Sequence, residues 1–152
     1  NLKCDYVGYD HDKRFLDIGL SKFPELKNKF HVVDIEKTNQ IRNADIIVIS
    51  ALLEHLNKPT KVLNLLIQNT KKCLILRTPV SKTSSFNLIE PALEHSGYLF
   101  NVFGKKVLEN LFSKNRFAVN FHTDIFTQIS SNHFVKKDKI KKKILIIEAN
   151  RI

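Results

Sequence analysis

Residues 43–79 read NADIIVISALLEHLNKPTKVLNLLIQNTKKCLILRTP, and this stretch decides the fold. Ala44-Asp45 opens a solid apolar run, Ile46 to Ile49. A turn carrying Ser50 and Glu54-His55 follows. An amphipathic segment runs from about Pro59 to Gln68, and a second apolar run covers Cys73 to Leu76. An unbroken run of four or five apolar, largely β-branched residues reads as a strand buried on both faces. Two such runs separated by a helical period make a βαβ unit, so the strands are expected to be parallel. Open parallel sheets bind ligands beyond the carboxyl ends of their strands. The residues just after Ile49 and Leu76 are therefore the first place to look for chemistry.

Working outward, Cys4 to Asp10 reads as a short strand ending on an acid. Asp10-His11-Asp12 leads into KRFLDIGLSKF, where Phe15, Ile18 and Phe23, with Leu16 and Leu20 beside them, give a helical apolar face. Asp10 or Asp12 is the expected N-cap. Phe30 to Ile35 reads as the next strand, carrying Asp34 near its end, and residues 36–42 as either a turn of helix or a loop. Pro59 suits the first turn of the helix after the central strand. Beyond Pro79, SKTSS is a loop, and residues 86–95 read as helical with Pro91 near the start or at a break. Residues 97–103 are apolar, and residues 105–114 read as a helix with Val107, Leu108, Leu111 and Phe112 on one face. Residues 117–130 are β-like, and 144–149 form a last strand that pairs with them as an antiparallel hairpin. The plan is α/β, a doubly wound sheet that is mostly parallel and ends in an antiparallel pair, read as a single domain over 1–152.

At 152 residues the chain can bury a normal core. Its 43% hydrophobic and 26% charged content is an ordinary globular balance. No stretch approaches the roughly 20 apolar residues of a membrane span. Residues 1–10 read as strand rather than signal peptide, which leads to the expectation of a cytoplasmic protein. Cys4 and Cys73 both lie in apolar strand-like runs, so buried free thiols are expected. No Cys/His cluster has metal-ligand spacing.

The formal net charge is +10. That balance suits a polyanionic partner, or simply a Lys-, Asn- and Ile-rich composition of the kind AT-rich coding produces. Lys136, Lys137, Lys139, Lys141, Lys142 and Lys143 put six lysines into eight residues. They could grip phosphates. Only Phe134 lies beside them, so base stacking has little support, and a solvated hairpin loop is the favoured reading.

Asp10, at a strand end, can accept from both hydroxyls of a ribose, or it can cap the following helix. Asp34 can accept from an exocyclic amine while the Ile35 amide donates to a ring nitrogen, or it can be a solvated loop acid. Ser50 and Ala51 could hold the amino-acid end of a small ligand. His55 could act as a base or orient a substrate, or simply pack its loop.

Taken together, the blocks YVGYD (6–10), VVDIE (32–36), ADIIVISALLEHL (44–56) and KKCLILRTP (71–79) resemble, in order and spacing, strands two to five of the class I S-adenosylmethionine-dependent methyltransferases. The later segments resemble that family's sixth and seventh strands. The resemblance implies a Rossmann-like fold and S-adenosylmethionine as cofactor. It also implies cofactor contacts from Asp10, His11, Asp34, Ile35, Ser50 and Ala51. The Leu53-Glu54-His55 block leans towards members that methylate small molecules such as sugars or quinones. The position after the central strand reads Ser50-Ala51-Leu52-Leu53, not the Pro-Pro-aromatic block of amino-methylating nucleic-acid enzymes. The family's glycine-rich loop and first strand are absent from these residues, and the expectation is that they precede Asn1. Without that strand the sheet should show a gap with exposed edges. Competing readings are a nicotinamide-dependent dehydrogenase and a non-catalytic methyltransferase-like module binding RNA or a protein.

Overall fold

In the computed structural model, residues 4–89, 99–125 and 143–152 are described. They fall into two compact units, Asn1–Gln40 and Ile41–Ile152. Each is taken by itself.

The first unit is β1 (Gly8–Asp10), α1 (Lys13–Lys22), a 3-10 turn (Pro24–Leu26) and β2 (Phe30–Val32). β1 and β2 pair in parallel, with Gly8 opposite Phe30 and Asp10 opposite Val32. Asp12 is the N-cap of α1, its carboxylate accepting from the Arg14 backbone N–H at 2.9 Å. Leu16, Gly19 and Leu20 form the less exposed face of α1, whereas Phe15, Ile18 and Phe23 stay exposed. Phe30 fills the space beside the glycines: a Cβ on Gly8 would come within 2.6 Å of its ring. The strands are shorter than the sequence predicts, and Asp34 falls in the turn after β2. No described residue of this unit is fully buried.

The second unit contains β3 (Ala44–Ser50), a 3-10 turn (Leu53–His55), α2 (Pro59–Asn69) and β4 (Thr70–Ser81). β5 (Ser85–Ile89), β6 (Leu99–Gly104), α3 (Lys105–Lys114), β7 (Phe117–Thr123) and β8 (Lys143–Arg151) follow. β3 pairs with β4 in parallel, as the βαβ reading requires. β8 runs antiparallel along the other edge of β4, from Cys73 to Val80, and β7 pairs antiparallel with β8. β4 outruns β3: past the Ser50–Arg77 pair, the edge β3 has left is taken up by β6 at Val80 and Ser81. β5 then pairs antiparallel with β6. Residues 86–89 are thus strand, not helix; Asn87 at φ 58° and a register shift between Ser85 and Leu88 erase the alternation that would mark it. Residues 90–95 of that expected helix lie outside the described residues.

α2 starts on Pro59 and buries Val62, Leu63, Leu66 and Ile67, each 5% exposed or less. Each such side chain contributes about 1.5–3 kcal/mol through burial. Opposite them lie Ile49, Leu74 and Leu76. α3 adds Leu108 and Phe112, and Phe112 meets Phe117 edge-to-face at 6.2 Å. One face of the sheet is therefore core. The other is not: Ile46 is 58% and Val48 67% exposed, so β3 is not buried on both faces. β3 pairs with no second strand among the described residues. Cys73 is half-buried and Cys4 exposed, both free, so only part of the expected burial of the thiols is met.

Candidate ligand-binding site at the strand ends

In the first unit, Asp10 ends β1 and Asp34 follows β2, at the same end of that sheet; the Val33 N–H donates to the Asp10 carbonyl at 2.8 Å. Asp10 Oδ1 accepts from the Asp12 N–H at 2.8 Å, and His11 Nδ1 lies 3.4 Å from the same oxygen. The capping reading is thus divided: Asp12 caps α1, and Asp10 braces the turn leading into it. A carboxylate offers about four lone-pair sites, so Asp10 retains acceptor capacity for a diol. Asp34 is more committed. Its Oδ1 accepts from the Glu36 N–H at 3.1 Å, and its Oδ2 pairs with Lys37 Nζ at 2.9 Å. The Lys37 ammonium holds the Asp34 carboxyl below the usual aspartate value. Ile35, beside it, is half-buried. In the helix-opening turn the Asp12 carboxyl is lowered to about 2, first by the Arg14 side chain and then by the Arg14 backbone N–H.

In the second unit, Ser50 is the last residue of β3, opposite Arg77. Ala51 follows at φ 52°, a left-handed conformation that costs an alanine roughly 1–2 kcal/mol. Backbone strain of this kind concentrates at functional sites. The Ala51 N–H points back to the Arg77 carbonyl at 3.4 Å. The turn then closes through Leu53 and Glu54, both buried, and His55, exposed.

His55 Nδ1 lies 3.2 Å from the Leu99 carbonyl. A carbonyl can only accept, so this contact requires a proton on Nδ1. The ring also meets Phe100 at 6.5 Å. His55 is thus held at the edge of the strand ends by β6.

The sequence reading did not single out Asn101, Asp124 or Arg77. Asn101 is fully buried and donates to the Leu53 carbonyl at 2.9 Å and the Leu56 carbonyl at 2.7 Å, while its oxygen accepts from the Asn87 N–H at 2.8 Å. The signal was present: one asparagine inside the apolar run 97–103. Arg77 Nε donates to the buried Asp124 carboxylate at 2.8 Å.

Among the described residues no group of His, Cys, Asp and Glu could hold a metal ion. Nor is any described helix long and apolar enough to cross a membrane. Lys136 to Lys142 lie outside the described residues; Lys143 opens β8.

No protein-family model matches the sequence, and no curated protein matches it. Solved structures do. Magnesium protoporphyrin IX methyltransferase (ChlM) from Synechocystis PCC 6803 with bound S-adenosylmethionine is 14% identical over 96% of this chain and 59% of its own, at a TM-score of 0.59. The S-adenosylmethionine-dependent methyltransferase from Mesorhizobium loti is 12% identical over 96% of this chain and 80% of its own, at 0.64. The N-terminal domain of EvdMO1 with S-adenosylhomocysteine bound is 12% identical over 99% and 67%, at 0.67. The chain thus spans less than two thirds of the length of ChlM. The chain has the Rossmann-like α/β fold of the class I S-adenosylmethionine-dependent methyltransferases.

Proposed function

We infer that this chain belongs to an enzyme that transfers a methyl group from S-adenosylmethionine to a small molecule such as a sugar or quinone. The observation that carries the reading is the fold with its strand-end acid: Asp10 closes a parallel strand and retains acceptor capacity for a ribose. Structural neighbours with S-adenosylmethionine or S-adenosylhomocysteine bound support it, and EvdMO1 was crystallised in the presence of D-fucose.

Bound S-adenosylmethionine supplies an electrophilic methyl group on a sulfonium. In this reading the chain's residues bind and orient. Asp10 accepts from the ribose hydroxyls, with His11 beside it. Asp34 accepts from the adenine amine, sharing an oxygen already on Lys37 or Glu36, and Ile35 covers the ring and donates its amide. Ser50 and the strained Ala51 receive the amino-acid end. His55 orients the acceptor or takes its proton. Much of the rate then comes from alignment, so a dedicated base is optional. The two free thiols suit a reducing, cytoplasmic setting.

Calorimetric titration of S-adenosylhomocysteine into the protein tests the reading. One-site micromolar binding is expected. A folded protein that releases no heat and gains no thermal stability with the ligand overturns it.

A further inference from the structure

Glu54 occupies the middle of the turn between β3 and α2 and is 5% exposed. The chain on both sides of it is tied to β6. Asn101 holds the carbonyls of Leu53 and Leu56, and His55 meets the carbonyl of Leu99. Across from the turn, Thr78 on β4 is fully buried. It falls between the last pair of β4 with β3, at Arg77, and the first with β6, at Val80. Glu54 Oε2 and Thr78 Oγ1 each lack a hydrogen-bond partner among the described residues.

Among the described residues no counter-charge contacts Glu54. His55 lies on the same turn, and Arg77 on β4 commits its Nε to Asp124. The buried face of α2 is Pro59, Val62, Leu63, Leu66 and Ile67, and β6 carries no charged residue. Removing a carboxylate from water without a cation or donor costs far more than burying the neutral acid.

We propose that Glu54 sits in the folded protein as a neutral carboxylic acid that, with Thr78, latches the Ser50–Leu56 turn against β4 and β6, and that its ionisation releases the turn. A protonated carboxyl is donor and acceptor at once, so a small closure to one O–H···O bond satisfies both orphan oxygens. Burial pushes the Glu54 carboxyl above its ordinary value; its own backbone N–H, His55, Arg77 and the Thr78 hydroxyl pull the other way more weakly. An acid raised by folding stabilises the fold fully below its unfolded value, about 4.3, and loses that contribution as pH rises through the raised one. Ser50, Ala51 and His55 ride on this turn, so Glu54 is a positioning residue for them. The proposal does not rest on methyl transfer, because its readouts need no cofactor.

The test is thermal unfolding of the protein without ligand, as a function of pH, beside Glu54→Gln. The glutamine amide can donate to Thr78 as the neutral acid does. The unfolding temperature of the parent should fall, relative to Glu54→Gln, as pH rises above the ordinary glutamate value. Amide exchange at residues 53–56, compared at equal pH, should quicken in the parent only. Parallel pH profiles for the two proteins overturn the proposal. Where Glu54→Gln does not fold, the carbon-13 shift of the Glu54 carboxyl in the parent decides. Titration above the ordinary range supports the latch, and titration within or below it overturns it.

Discussion

Arg77 Nε and the Asp124 carboxylate meet at 2.8 Å across 47 residues of sequence, with the Asp124 side chain 1% exposed. The pair joins the carboxyl half of β4 to the segment that leaves β7. Removing one partner of such a pair leaves a desolvated charge, whereas replacing both can be nearly neutral. Arg77→Met should therefore destabilise the protein by about 3 kcal/mol, and Arg77→Met with Asp124→Leu by much less. Denaturant unfolding of the two single variants and the double gives the coupling directly. Additive losses would mean the pair is not a unit.

Asn101 makes three hydrogen bonds with one side chain, two of them buried. At about 1 kcal/mol each, with extra cost for carbonyls left dry, Asn101→Ala should lose about 3 kcal/mol. Asn101→Asp should fare worse, because it exchanges a donor for negative charge facing two carbonyl oxygens. Urea midpoints that rank the aspartate variant above the alanine one would contradict this.

Ala51 holds φ 52° in the turn after β3. Glycine relieves roughly 1–2 kcal/mol of steric cost but adds roughly 0.5–1 kcal/mol of unfolded-chain entropy. A net gain of up to about 1.5 kcal/mol is expected for Ala51→Gly, read as a rise in unfolding temperature. A fall would show that the alanine methyl packs against something worth more than the strain.

Asp10 separates function from fold. The contacts of its carboxylate are local, to Asp12 and His11, so Asp10→Ala should leave the unfolding transition of the protein nearly in place. Under the proposed function it should weaken S-adenosylhomocysteine by tenfold or more, the scale of about 1.4 kcal/mol for a lost bidentate contact. Calorimetry that returns the parent affinity would count against Asp10 as the ribose acid.

Asp12 supplies an acid-side prediction. Its carboxyl is lowered to about 2, first by the Arg14 side chain and then by the Arg14 backbone N–H. A lowered acid stabilises the fold above its unfolded value, about 3.9, and the contribution disappears as pH falls through the lowered one. The Arg14 amide shift should titrate near the lowered value in the parent and lose that step in Asp12→Ala, alongside a fall in α1 helicity.

The sequence alone determined the elements whose pattern is local. The four-residue runs at 46–49 and 73–76 are strands because β-branched and aliphatic side chains suit a pleated surface. Pro59 begins α2, and residues 105–114 bury Leu108 and Phe112 on one face. The β7–β8 hairpin and the strand-end positions of Asp10 and Ser50 were equally legible, because period and punctuation carry them. Tertiary structure decided the rest. β4 continues through Pro79, against the rule that proline breaks a central strand. It can because Pro79 lies between the β3 and β6 pairings, where one edge of β4 has no ladder to interrupt. The 85–89 strand exists only because β6 lies beside it, and local pattern misreads it as helix. Exposure of Ile46 and Val48 depends on which face α2 covers, which no apolar run can tell. Glu54, Asn101, Arg77 and Asp124 are distant in sequence, and their roles come from burial, where a polar group must find its partner or give up its charge.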